Sequence, residues 1–134
     1  GVQTCALPIY KIKKYYPYSS DSIILSTDTK YYVYDKNLNK KFTSSDYDKI
    51  IGLDFEYVVA LKDKDLVLLD YNGKEIAKFE FELSDNLEFD KVSTDDGICV
   101  SFKNTKIKQG NAGYMINYYY NPQTGEVNKE ESEW

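Results

Sequence analysis

The chain has 134 residues, of which 42% are hydrophobic and 16% aromatic, so it is long enough to fold as one domain around a core of its own. It contains no histidine, which excludes Ser-His-Asp and Cys-His nucleophile systems and imidazole metal sites within these residues. All 17 basic residues are lysines and the net charge at pH 7 is -5, a balance that disfavours nucleic acid as a partner.

The first nine residues differ in composition from the rest of the chain. They read GVQTCALPI, carry no charge and resemble, codon for codon, the translation of a common short-read sequencing adapter. We interpret residues 1–9 as a non-native segment and leave them out of the fold prediction. Cys99 is then the remaining thiol, and we expect the native chain to begin upstream of this segment. The localisation stays open, with an extracytoplasmic or cell-surface one favoured.

From residue 10 onward the pattern is typical of an all-β chain. Short apolar runs alternate with Asp, Asn, Gly and Ser, and no segment keeps helical spacing over three turns. The pattern predicts strands at residues 10–16, 22–26, 31–35, 40–43, 50–53, 57–62, 66–70, 75–83, 87–92, 98–102, 114–120 and 126–128. None of the apolar runs reaches the roughly 20 residues that a membrane-spanning helix needs.

The predicted strands also differ in the number of faces that we expect to be buried. Alternation from Ala77 to Leu83 predicts one buried face and one solvated face, whereas residues 31–34 and 66–69 are apolar on both faces and predict interior strands. Asn72-Gly73 and the segment 121–125 provide the residues of tight hairpin turns. The string 35–39 has the oxygen spacing of a calcium loop, but Lys40 stands where that loop needs glycine, so we predict a third hairpin turn and no metal.

The strand pattern repeats along the chain. Residues 21–42 align without gaps on residues 56–77, with three of 22 positions identical and the strand and turn order kept, and a third copy begins near Ile98. We therefore predict one β-repeat domain over residues 10–127, built from units at about 10–43, 44–83 and 84–127. Residues 128–134 are predicted to form an acidic tail.

Two stretches carry a family resemblance. Residues 65–76 (DLVLLDYNGKEI) and 118–127 (YYYNPQTGEV) resemble the two outer strands and the hairpin of a blade in quinoprotein-like β-propellers. The resemblance implies antiparallel β-meander repeats, arranged as a fragment of a β-propeller or as an open propeller-like stack. Ala77 and Phe79 stand where that family's closing Trp is expected, and no residue matches its cofactor site, so we predict no cofactor.

Tyrosine is the residue type that suggests a binding surface. Its rigid ring and polar tip suit the recognition of a protein or a glycan. The alternative is that alternate tyrosines pack in the core and the others cover sheet faces. The candidate binding residues are Tyr15, Tyr16, Tyr18, Tyr114, Tyr118 and Tyr120.

The sequence predicts the general class of function. Close carboxylate pairs such as Asp95 and Asp96 fall in predicted turns, where Asp binds backbone N–H groups, so we predict no catalytic residue. We expect a non-enzymatic recognition or scaffolding module of a bacterial repeat protein, binding a protein or a glycan through loops and sheet edges. Two alternatives are a fragment of a propeller enzyme with its catalytic residues outside this segment, and a small acidic inhibitor of a basic partner.

Overall fold

The fold is all-β, with three antiparallel sheets of four strands each. The computed structural model describes residues 14–16, 22–54, 56–104 and 114–133. Each sheet is a meander in which consecutive strands are neighbours, in the orders β1-β2-β3-β4, β5-β6-β7-β8 and β12-β11-β10-β9. The predicted all-β class and antiparallel meander are thus confirmed. The adapter-like segment, Tyr18 and Trp134 lie outside the described residues.

The strand bounds follow the sequence pattern closely. Five of the predicted strands, at residues 22–26, 31–35, 40–43, 57–62 and 114–120, agree with the structure residue for residue. The strands are β1 (Lys14–Tyr16), β2 (Ser22–Ser26), β3 (Tyr31–Asp35), β4 (Lys40–Thr43), β5 (Lys49–Asp54), β6 (Tyr57–Lys62), β7 (Asp65–Asp70), β8 (Glu75–Glu80), β9 (Leu87–Ser93), β10 (Ile98–Asn104), β11 (Tyr114–Tyr120) and β12 (Val127–Glu133).

Among the described residues, two strand ends differ from the prediction by more than two residues. The strand predicted to continue to Leu83 ends at Glu80, and although Phe81 is still buried, Leu83 is 43% exposed. The strand predicted to end at Asn128 continues to Glu133, inside the predicted acidic tail. The sequence of β12 shows no alternation of apolar and polar residues, so the pattern did not predict a strand there. The strand lies at the edge of the sheet and pairs with β11 over seven residues.

The chain divides into two compact units, residues 1–78 and 79–134. The first unit holds the first sheet and most of the second, and one core cluster contains buried side chains from both. All four side chains from Leu66 to Leu69 are buried, which confirms β7 as an interior strand. The core cluster comprises Ile24, Tyr31, Val33, Ile50, Leu53, Val58, Ala60, Val67 and Leu69.

Tyr31 joins the two sheets of the first unit. Its side chain has no exposed area, and its hydroxyl donates a hydrogen bond of 2.9 Å to the carbonyl oxygen of Asp70. The ring stacks on that of Tyr47 with a centroid distance of 6.4 Å, and its backbone N–H donates to the Ser44 hydroxyl at 2.9 Å. Burial raises the pKa of the Tyr31 hydroxyl well above its ordinary value, so the hydroxyl keeps the proton that it donates.

The second unit contains the third sheet, which is amphipathic. One face is aromatic and buried: Phe102 packs against Phe81 at 5.1 Å and Tyr118 at 5.9 Å, measured between ring centroids. The opposite face is polar and carries a short hydrogen-bonded row, in which the Ser101 hydroxyl donates to Asn117 Oδ1 at 2.8 Å. Cys99 lies 3.5 Å from the Ser101 hydroxyl and is 9% exposed, which confirms it as a small buried residue.

The hairpin between the third and fourth strands has the same geometry in the first two sheets. The Asp35 carboxylate accepts the N–H groups of residues 37 and 39 at 2.9 Å, and Asp70 accepts those of residues 72 and 74 at 2.9 Å. The residue with positive φ is Leu38 at 67° in the first turn and Gly73 at 88° in the second. The predicted turns are confirmed, and in the first of them a leucine adopts the left-handed conformation that glycine and asparagine adopt more readily.

The Asp35 turn predicts a specific acid sensitivity. The hydrogen bond from the Asn39 N–H holds the pKa of the Asp35 carboxyl below its ordinary value. A lowered pKa in the folded state stabilises the fold above the unfolded-state pKa of about 3.9, and this contribution is lost as the pH falls through the folded-state pKa. Asp35→Asn keeps an acceptor oxygen, so we expect the variant to lose less stability than the wild type below about pH 4.

Denaturant unfolding at neutral and acid pH measures this difference. Asp95→Asn, a change at an exposed turn residue, controls for the change in net charge. If the Asp35→Asn variant and the wild type lose the same stability between neutral and acid pH, the Asp35 carboxylate does not carry the effect.

Candidate functional site: a cleft at one end of the third sheet

A cleft of about 350 Å³ lies at one end of the third sheet, within the second unit. It is formed where the β9–β10 turn and the β11–β12 turn meet the end of β11. Its volume is within the roughly 300–1,000 Å³ that small-molecule sites occupy. The lining residues are Asp96, Gly97, Tyr119, Tyr120, Asn121, Pro122, Gln123, Glu126 and Asn128.

Gly97 allows the two turns to approach each other. Its φ is +78°, and a Cβ atom at this position would lie 2.9 Å from the carbonyl oxygen of Tyr120. Both facts require glycine, because a side chain would be strained by the backbone and would press on a neighbouring strand. Gly97 therefore fixes the β9–β10 turn against the end of β11.

The β11–β12 turn forms the other wall of the cleft. The Asn121 carboxamide oxygen accepts the N–H groups of Gln123 at 2.9 Å and of Thr124 at 3.3 Å. The Asn121 N–H donates to the carbonyl oxygen of Glu126 at 2.9 Å, and Gly125 supplies a φ of +78°. The predicted turn at 121–125 is confirmed, and it holds Glu126 across from Asn121.

The lining offers many hydrogen-bonding groups, and its charged groups are all negative. Asp96 and Glu126 supply carboxylates, residues 121, 123 and 128 supply carboxamides, and Tyr119 and Tyr120 supply aromatic rings. Among the residues that the structure describes, no lysine lines this cleft. The arrangement can accept and donate hydrogen bonds in several directions, and its charge is negative.

The candidate tyrosines of β11 have different surroundings. Tyr120 is half-buried and lines the cleft. Tyr118 is 3% exposed and packs against Phe79 and Phe81 at 5.5 and 5.7 Å, so it belongs to the core, as the alternative interpretation of the tyrosines held. Tyr114 is half-buried at the other end of β11, where its hydroxyl accepts a hydrogen bond from Asn104 Nδ2 at 2.9 Å.

The described N-terminal candidates belong to the first sheet. Tyr15 and Tyr16 lie in β1, in register with Leu25 and Ile24 of the first sheet, and Tyr18 lies outside the described residues. Of the candidate tyrosines that the structure describes, Tyr120 is the one that lines the cleft.

Tyr119 is the residue that sequence reasoning missed. It points to the polar face of the sheet, opposite Cys99 in the β10–β11 register and opposite Asn128 in the β11–β12 register. Burial raises the pKa of the Tyr119 hydroxyl, and Cys99 and Glu130 add to the effect, so the group is a neutral hydrogen-bonding partner. The run of three tyrosines at 118–120 contained the signal, since alternation in a strand places the middle one on the opposite face.

A second cleft, of about 340 Å³, lies in the first unit. It is lined by Val67 and Leu69 on β7, by Tyr47, and by charged residues of both signs. Lys62 Nζ lies 5.9 Å from the centroid of the Tyr47 ring, and Lys78 Nζ lies 3.6 Å from a carboxylate oxygen of Glu75. Lys62, Lys78 and Glu75 therefore have neighbours of their own, and the mixed charges of the lining indicate no single class of ligand.

Other features of the described part add no site. Within residues 14–16, 22–54, 56–104 and 114–133, no group of three or more cysteine and acidic side chains could hold a metal ion. The same residues contain no helix with the length and apolar character needed to cross a membrane.

Comparison of the chain with protein-family models, with curated proteins and with solved structures gives no significant match.

Proposed function

We propose that the protein is a propeller-like recognition module that binds glycans in the cleft of its third sheet. The support for blade-like units is that each sheet is a four-stranded meander. In addition, the hairpins at Asp35 and Asp70 have matching hydrogen bonds. In such an architecture the turns at the strand ends are the natural place for a binding site.

The observation that carries the glycan proposal is the composition of the cleft lining. Sugar hydroxyls both donate and accept hydrogen bonds, and the carboxamides and carboxylates of the cleft provide partners of both kinds. Tyrosine rings offer a flat apolar surface to the C–H face of a sugar ring. Gly97 and the bonded turn at Asn121 hold the site in place, so little entropy is lost on binding. The module acts by binding, without a reaction of its own.

Titration calorimetry with neutral, basic and acidic oligosaccharides tests the proposal. We expect at least one of these classes to bind, and Asn128→Ala to weaken that binding about two- to tenfold, since a net hydrogen bond contributes about 0.5–1.5 kcal/mol. Tyr119→Ala is expected to weaken it by a similar factor through the loss of ring contact.

Ser132→Ala is a matched control, because Ser132 lies on the same face of β12 as Asn128 but does not line the cleft. Its affinity is expected to equal that of the wild type. Failure of every oligosaccharide class to bind the folded protein would contradict the proposal, and so would binding that is indifferent to both cleft variants.

A further inference from the structure

The distribution of charge around the cleft allows the ligand class to be narrowed. Asp96 belongs to the turn that leads into β10, and Glu126 belongs to the turn that leads into β12. Because β11 lies between β10 and β12, the two residues border the cleft on opposite sides of β11. Both residues are exposed, and neither is in an ion pair among the described residues.

The surroundings reinforce this charge. The lining contains no described lysine, and the whole chain has a net charge of -5. Tyr119 and Tyr120 also line the cleft, and aromatic rings attract cations but not anions. A sugar that carries a carboxylate or sulfate would meet two like charges, whereas a protonated amine would meet two opposite ones.

We infer that the cleft selects amino sugars with a free, protonated amine. This inference rests on the proposed function, because it names which glycans the same cleft takes. The carboxylates of Asp96 and Glu126 receive the ammonium group from either side, while the carboxamides of residues 121, 123 and 128 bind the neighbouring hydroxyls. An N-acetylated sugar of the same size keeps the hydroxyl contacts but lacks the charge.

The test compares two oligosaccharides of equal length, one of glucosamine and one of N-acetylglucosamine, at a mildly acidic pH where the free amine is protonated. With the full chain, we expect the glucosamine oligomer to bind at least about fivefold more tightly, with the difference shrinking as salt is added. Asp96→Asn and Glu126→Gln are each expected to weaken glucosamine binding about two- to fivefold and N-acetylglucosamine binding by a smaller factor, so that the preference for the free amine decreases. Asp85→Asn, an exposed carboxylate outside the lining, is expected to change neither affinity.

The outcomes separate the inference from the function on which it rests. Equal affinity of the wild type for the two oligomers, or tighter binding of a galacturonic acid oligomer, overturns the charge selection while glycan binding in the cleft stands. Absence of binding by all three oligomers overturns both. The comparison of ligands on the wild type needs no variant, so a misfolded variant would not prevent a decision.

Discussion

Phe102→Ala is expected to lower the free energy of unfolding by about 3–5 kcal/mol, the range typical of a buried phenylalanine. The side chain is 1% exposed and lies in the middle of the aromatic face of the third sheet. Its ring centroid is 5.1 Å from that of Phe81, 5.9 Å from Tyr118 and 6.0 Å from Phe89. Removing the ring leaves a cavity that several aromatic neighbours cannot close, and a loss of this size is a large part of the stability of a small protein.

Urea unfolding followed by circular dichroism measures this loss. Phe102→Leu, expected to cost about 1–2 kcal/mol, gives a measurable value if the alanine variant does not fold. Val127→Ala is the control, because Val127 is 52% exposed and its truncation is expected to change stability by less than about 0.5 kcal/mol. A cost below about 1 kcal/mol for Phe102→Ala would show that the aromatic face is not a packed core.

Gly73→Ala is expected to cost about 2–4 kcal/mol for two separate reasons. The backbone at Gly73 has a φ of +88°, which strains any residue with a side chain. A Cβ atom would also clash with the tip of the Phe42 ring, which packs against the core of the first unit. The ring must move, and its contact with Tyr31 at 5.8 Å would change with it.

Gly125→Ala separates the two causes. Gly125 has a φ of +78° in the β11–β12 turn, but no atom lies within 4 Å of a Cβ at that position. We expect this control to cost only the conformational part, about 1–2 kcal/mol. Thermal and denaturant unfolding of both variants gives the comparison. If the two substitutions lower the free energy of unfolding by the same amount, the Phe42 ring moves aside without cost. The close approach at Gly73 then does not contribute to stability.

The sequence predicted the strands better than the site, and the reason is physical. Alternation and turn residues are local signals, so β2, β3, β4, β6 and β11 could be placed from the chain alone. The turn at Leu38 also follows from a local signal. The Asp35 carboxylate binds two backbone N–H groups, and these bonds, not the residue type at 38, define the turn.

The cleft could not be predicted in this way, because it depends on which turns meet. Asp96 and Asn128 are 32 positions apart in the sequence, and only the order β12-β11-β10 brings both beside β11. Tyrosine was the correct residue type to examine, but the β11 register decides which rings face the core. Tyr118 is used for packing, whereas Tyr119 and Tyr120 line the cleft.

The strand β12 has a consequence for the behaviour of the protein in solution. A strand at the end of a sheet presents backbone groups that could pair with another molecule, and long, uncharged edges of this kind promote aggregation. Here the edge is seven residues long, and its sequence includes Glu130 and Glu131 beside one cation, Lys129. Two copies that approach edge to edge would bring these glutamates together, so we expect their repulsion to oppose pairing of the two edges at neutral pH. The composition that makes β12 a poor strand in isolation is therefore expected to oppose growth of the sheet beyond it.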